Sequence, residues 1–231
     1  MNQEFKVYRH ELKYYISWGE YLYLSQLLKA TLNQDQYGNE SGDYWIRSLY
    51  LDTPYNKDYD EKMIGSLNRK KIRLRIYDVQ TDQVKLEIKN RYNQYMLKES
   101  LVINKEEALH LMEGKINFLL TNRNTTAMKL YYLMHEDYYR PKVIVDYERE
   151  AYTCPMYSIR ITFDKNVRCS HDCHNFFNSN LPTVGVLEQG QVILEIKYDQ
   201  MLPKWIRKAL SSVIGNRSSI SKYCLARAII S

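Results

Sequence analysis

Hydrophobic and polar positions alternate along most of this chain with a period of two, the pattern of half-buried strands. The first such run is Glu4 to Ile16. Ser17-Trp18-Gly19-Glu20 then has capping-box spacing and opens a helix to about Leu32. After a polar loop, Asp35 to Gly42, the spacing predicts a strand from Tyr44 to Leu51, ended by Asp52-Thr53-Pro54, and a short helix from about Asn56 to Met63. Lys70 to Asp78, Gln83 to Asn90 and Gln94 to Ile103 are three strands with short connections, hence an antiparallel meander. Asn104, with Glu107 three residues on, caps a helix to about Met112, and another helix covers roughly Thr126 to His135. Pro141 to Tyr152 and Met156 to Lys165 read as a hairpin, and Gln191 to Tyr198 as a last long strand. Pro203 begins a helix that stops at Gly215, and Ser218 or Ser219 caps a final one containing Lys222. About eight strands, mostly antiparallel, with helices at the start, middle and end, make this an α+β chain. No repeat, low-complexity stretch or linker divides it, so one domain over residues 1–231 is expected.

The polar phase of the alternation carries an unusual message. In Lys71-Ile72-Arg73-Leu74-Arg75 every polar position is a cation. Lys85-Leu86-Glu87-Ile88-Lys89, Leu194-Glu195-Ile196-Lys197 and Arg9-His10-Glu11-Leu12-Lys13 mix cations with Glu in one phase. Arg160-Ile161-Thr162-Phe163-Asp164 repeats the pattern, and Arg149 adds another cation. Period two puts each set on one face of its strand. Two arrangements follow: charges in solvent around an apolar barrel core, the ordinary fate of charge runs, or charges turned inward with helices over an apolar outside. The helices at Tyr21 to Leu32 and Trp205 to Ile214 offer apolar faces for the second. We expect that one, a closed eight-stranded antiparallel β-tunnel with flanking helices. A ring of inward cations repels itself, and burial raises the cost. Glu11, Glu87 and Glu195 offset part, and a bound polyanion supplies the rest. Phosphate suits Arg and Lys donors, and interspersed carboxylates suit a hard divalent cation such as Mg²⁺ or Mn²⁺.

Composition changes this picture little. With 33 basic and 27 acidic residues the net charge is +6, so polyanions are admissible partners but no basic nucleic-acid arm produces the excess. Carboxylates in the charged face also argue against simple nucleic-acid binding. Tyr is abundant, at 22, which favours strands. No 18-residue apolar run predicts a membrane helix, and Met1 to Tyr15 has no signal-peptide apolar region. Four Cys in a chain of this size point to a reducing cytoplasm rather than a disulfide scaffold. Cys169-Ser170-His171-Asp172-Cys173-His174 is the one stretch resembling soft-metal ligands, but with no second Cys/His pair nearby it reads as a loop between strands. No P-loop, GxGxxG or nucleophile elbow is present.

The ordered set Glu11-Leu12-Lys13-Tyr14, Ser48-Leu49-Tyr50-Leu51-Asp52, Arg73-Leu74-Arg75, Glu87-Ile88-Lys89, Lys98, Arg149, Arg160 and Glu195-Ile196-Lys197 resembles the VTC domain, the polyphosphate polymerase domain of the triphosphate tunnel metalloenzyme superfamily. The resemblance runs from about Phe5 to Leu225. It implies that Lys13, Arg73, Arg75, Lys89, Lys98, Arg149 and Arg160 hold phosphates, that Glu195 holds the metal, and that Lys222 is a basic residue at the tunnel mouth. Ser219 stands where the family carries a second one. Glu11, Lys85, Glu87 and Lys197 complete the expected substrate-binding set. The implied reaction moves the γ-phosphoryl group of ATP onto a polyphosphate chain, with Mn²⁺ or Mg²⁺ as cofactor. A triphosphatase and a non-catalytic polyphosphate-binding module share these residues.

Overall fold

Ser17 ends the first strand and starts the first helix in one step. Its hydroxyl accepts the Glu20 amide, and the Glu20 carboxylate accepts the Ser17 amide at 2.7 Å, a complete capping box. The computed structural model describes residues 10–36, 38, 42–93, 95–211 and 218–230. The Glu4 to Arg9 part of the expected first strand lies outside the described residues, as does Gly215; the helix expected to run from Pro203 to Gly215 ends earlier, at Ala209 with Leu210 as its C-cap. In chain order the elements are β1 (His10–Ser17), α1 (Trp18–Thr31), β2 (Asn33–Gln34), β3 (Asp43–Asp52), α2 (Lys57–Met63), β4 (Asn68–Ile76), β5 (Val84–Tyr92) and β6 (Tyr95–Ile103). They continue with α3 (Lys105–Met112), α4 (Phe118–Thr121), α5 (Thr125–Glu136), β7 (Arg140–Cys154), β8 (Ile159–Ser170), β9 (Val184–Gly185), β10 (Gln191–Tyr198), α6 (Lys204–Ala209) and α7 (Lys222–Ile230). Asn104 caps α3 with Glu107 as the spacing predicts. The last helix begins at Lys222, later than a Ser218 or Ser219 cap places it, with Ile220 and Ser221 buried ahead of it.

The α+β, antiparallel character holds, but two details are corrected. There are ten strands among the described residues, in the order β1-β10-β8-β7-β3-β4-β5-β6, with β2 added to β7 and β9 to β8. Among the described residues that order has two ends, so the strand pairing there does not give the expected closed eight-strand ring. Alternation reports which face of a strand is apolar; it does not report which edges pair, and the two extra strands are too short to show a period.

The chain divides into two compact units, each drawn from three segments: residues 1–45, 147–167 and 185–221, and residues 46–146, 168–184 and 222–231. In the first unit, Tyr14 and Ile16 of β1, Ile159, Ile161 and Phe163 of β8, and Val192, Leu194 and Ile196 of β10 form one apolar face. Tyr21, Leu24 and Leu28 of α1 and Ile206 of α6 cover it. In the second unit, Ile72 and Leu74 of β4 and Leu86 and Ile88 of β5 are fully buried. On that face Lys129 of α5 pairs with Glu99 of β6, which also accepts from the Asn90 amide at 3.2 Å. Arg47 ties β3 to β7 through a buried two-bond pair with Asp146 at 2.8 and 2.7 Å. In each unit, then, helices cover the apolar side of the strands and the charged phase points the other way.

Candidate functional site

The second unit carries a cationic face built by register. On β4, Lys71 lies opposite Lys89, Arg73 opposite Glu87, and Arg75 opposite Lys85 of β5. Lys98 of β6 lies opposite Lys89, and Ser48 and Tyr50 of β3 lie opposite Arg75 and Arg73. Directly opposed residues share a face, so the expected Arg73, Arg75, Lys85, Glu87, Lys89 and Lys98 are brought together. Glu87, 2% exposed, is the hub. It takes the Arg73 Nε at 2.7 Å and the Lys98 Nζ at 2.6 Å, with Arg75 at 3.9 Å. Burial alone raises a carboxyl pKa; here Arg73, Arg75 and Lys98 together overcome it and hold Glu87 well below the usual carboxylate range.

Tyr50 sits in the same field. Arg73 donates to its hydroxyl at 3.2 Å. Burial pushes the phenol up, but Arg73, Arg75, Lys71 and Lys222 pull it down further, so its net shift is downward. Lys222 opens α7, and the next residue, Tyr223, stacks on Tyr50 with ring centroids 5.2 Å apart. Tyr223 also donates to the buried Asp52, which accepts the amides of Thr53, Asp58 and Tyr59 at 2.7, 2.9 and 3.0 Å. This network fixes the start of α7, and with it Lys222.

The first unit carries a mixed cluster. Lys13 of β1 lies opposite Glu195 of β10, and Glu11 opposite Lys197. On the other side of β10, Glu195 faces Thr162 and Lys197 faces Arg160 of β8. Lys13 contacts Glu11 at 2.9 Å and Glu195 at 3.6 Å, and Lys197 also pairs with Glu195, which is 5% exposed. The two remaining expected cations are pinned by carboxylates that the sequence reading did not assign. Arg149 makes a two-bond pair with the fully buried Asp164 at 2.6 and 2.8 Å. Burial opposes its charge, yet Asp164 carries its pKa above the ordinary value. Arg160 pairs with Asp35 and donates to the Tyr44 hydroxyl at 3.1 Å. Asp164 shares the strand phase of Arg160, a signal present in the sequence; Asp35 lies in a loop and gave none.

Among the described residues no three His, Cys, Asp or Glu side chains converge as a metal centre. Glu195 and Glu11, both bound to Lys13, bring two carboxylates together here. One or two carboxylates completed by water are what Mg²⁺-type ions take, so the donor set fits a hard divalent cation. The cysteine-histidine stretch, expected to be a loop, begins inside β8, which runs to Ser170, and offers less: burial, then Asp172, pushes the Cys173 thiol up to about 12, and Cys169 is raised by burial too. No described helix is long and apolar enough to cross a membrane.

The comparisons agree with this geometry at the level of family and fold. The VTC domain family model matches residues 8–231. No curated protein matches the chain. Among solved structures, HpAC1 from Hippeastrum, described as an adenylyl cyclase candidate with a dominant triphosphatase activity, is 12% identical with a TM-score of 0.54, over 95% of this chain and 96% of that one. An adenylate cyclase candidate from Bacillus halodurans is 11% identical with a TM-score of 0.53, over 93% of each chain. One from Vibrio parahaemolyticus is 12% identical with a TM-score of 0.52, over 95% and 97%. At such identities the likeness establishes the fold alone.

Proposed function

This chain belongs to the VTC domain family, and from that premise we propose that it is a metal-dependent polyphosphate polymerase, moving the γ-phosphoryl group of ATP onto a polyphosphate chain. One observation carries the reading: Lys71, Arg73, Arg75, Lys85, Lys89 and Lys98 share a face of β4 to β6 with Glu87 among them. Such a face favours a string of phosphates over one anion, because each added phosphate meets a further cation.

In this reading Arg73 and Arg75 hold phosphoryl oxygens through their guanidinium forks, and Lys89, Lys98 and Lys222 add point charge. Tyr50, its hydroxyl made more acidic by its cationic neighbours, donates a further hydrogen bond. Glu195, with Glu11, would hold the divalent ion, Mn²⁺ or Mg²⁺, which would supply charge neutralisation to the transfer. Lys13 and Lys197, each already against Glu195, neutralise the phosphates brought there. Arg149 and Arg160 are held by Asp164 and Asp35 and act as fixed donors. A terminal oxygen of the chain forms the new bond to the γ-phosphorus, the bond to the β-bridging oxygen breaks, and ADP leaves. Positioning and electrostatics are most of what this transfer needs, so no side-chain nucleophile is required. Four Cys in a chain of this size fit a reducing, cytoplasmic setting.

The test is a product gel after incubation with ATP, Mn²⁺ and a short polyphosphate primer. A lengthened primer with ADP supports polymerisation. Orthophosphate with an unchanged or shortened primer makes the chain a hydrolase, and absence of any product makes it a binding module.

A further inference from the structure

The cationic face of β4 and β5 does not stop at the residues assigned above. Arg69 and Arg91 lie directly opposite each other, one step beyond the Lys71 and Lys89 pair and in the same strand phase. Like charges directly opposite across a strand pair are destabilising, and both side chains are half-buried, where water screens them less. Each guanidinium is held by a backbone carbonyl: Arg69 donates to Ser66 and Arg91 to Asn93, the latter at 2.7 Å. Those bonds orient the arginines without neutralising them. Burial and then the charge of Arg91 hold Arg69 below its ordinary range, and Glu61 and Cys224 offset only part of that. The α2–β4 connection and the β5–β6 turn that supply the carbonyls are joined by the Asn93 amide, which donates to Leu67 at 2.9 Å.

We propose that Arg69 and Arg91 form a distal phosphate subsite, which makes this face prefer long polyphosphate over triphosphate. The inference rests on the reading that the β4–β5 face holds phosphate. From Arg75 to Arg69 the strand runs about 20 Å, at roughly 3.4 Å per residue. A triphosphate seated at Arg73 and Arg75 does not reach that far along the strand, whereas a long chain does.

The experiment is equilibrium binding of tripolyphosphate and of a long polyphosphate, over a range of salt, to the full chain and to its R69Q/R91Q and R69K/R91K variants. Melting curves without ligand establish that each variant is folded. We expect R69Q/R91Q to keep its tripolyphosphate affinity and to lose long-chain affinity by at least about tenfold. The slope of log affinity against log salt should fall by about 1.4–1.8 for the long chain only, and R69K/R91K should keep the slope and recover part of the affinity. Equal loss for both ligands, or loss for neither, overturns the distal subsite. A parent protein that binds both ligands with one affinity overturns it too, and leaves the triphosphate reading standing. A parent protein that binds neither ligand overturns the reading beneath it as well.

Discussion

Replacing Glu87 by Gln separates the two roles of the cationic face. Glu87 is buried, with Arg73 at 2.7 Å, Lys98 at 2.6 Å and Arg75 at 3.9 Å. Gln keeps the size and one acceptor for Arg73, but leaves three cations facing one another. Removing one partner of a buried pair typically costs 3–5 kcal/mol; the Lys98 side chain is half-exposed and adds little, so about 3 kcal/mol is expected at pH 7. For a chain of this size that lowers the melting temperature by about 6–12 °C. The loss should depend on pH in one direction. An unfolded Glu takes up its proton near pH 4.3, roughly, while the folded Glu87, held below the ordinary value, stays ionised. Its contribution is therefore fully present above that pH and is lost as pH falls through the folded value. Urea titrations of both proteins at pH 7, 5, 4 and 3 should show a constant gap down to about pH 5 and a closing gap below about pH 4. Tripolyphosphate should restore much of the variant's loss, about 2.7 kcal/mol at a hundredfold excess over Kd. A variant as stable as the parent at pH 7, or a gap unchanged from pH 7 to 3, refutes the reasoning.

Three further outcomes are expected. Burial, then the neighbouring Asp52, pushes the Asp58 carboxyl up to about 7, and Tyr139 donates to it at 2.8 Å. A raised folded pKa means stability present below the unfolded value of about 3.9 and lost as pH rises through the folded one, by on the order of 3–4 kcal/mol. Asp58→Asn should flatten that profile in denaturant titrations from pH 5 to 8, and an equally steep decline in the variant counts against it. Asp164→Asn strands the buried Arg149 and should cost about 3 kcal/mol; a loss below about 1 kcal/mol would mean the pair is not the anchor described. Glu195→Gln should abolish metal-dependent turnover while the protein stays folded and still binds tripolyphosphate without metal, so near-normal turnover by the folded variant would remove Glu195 from the metal role.

The phase of the charges was legible because alternation is a local property. Lys71, Arg73 and Arg75 fall on one side of β4 whatever the strand pairs with, and the amphipathic α1 identifies the face it must cover. The capping boxes at Ser17 and Asn104 were legible for the same reason. What alternation does not encode is register and distant partners. Arg160 is neutralised by Asp35, 125 positions away in a loop, and Glu87 becomes a hub only because register sets it beside Arg73 and Lys98. Arg149 read as a phosphate ligand from its family position, yet its first partner is Asp164. The two-residue strands β2 and β9 and the four-residue α4 are too short to repeat their period, so pattern does not reveal them.

Polymerase and hydrolase differ in where the γ-phosphoryl group goes. ATP labelled at the γ-phosphate, given to the purified protein with Mn²⁺ and a short polyphosphate primer, reports it directly. For a polymerase, label is expected in chains longer than the primer, with one ADP released for each phosphate added. Label recovered only as orthophosphate, with the primer no longer than it began, would contradict polymerisation.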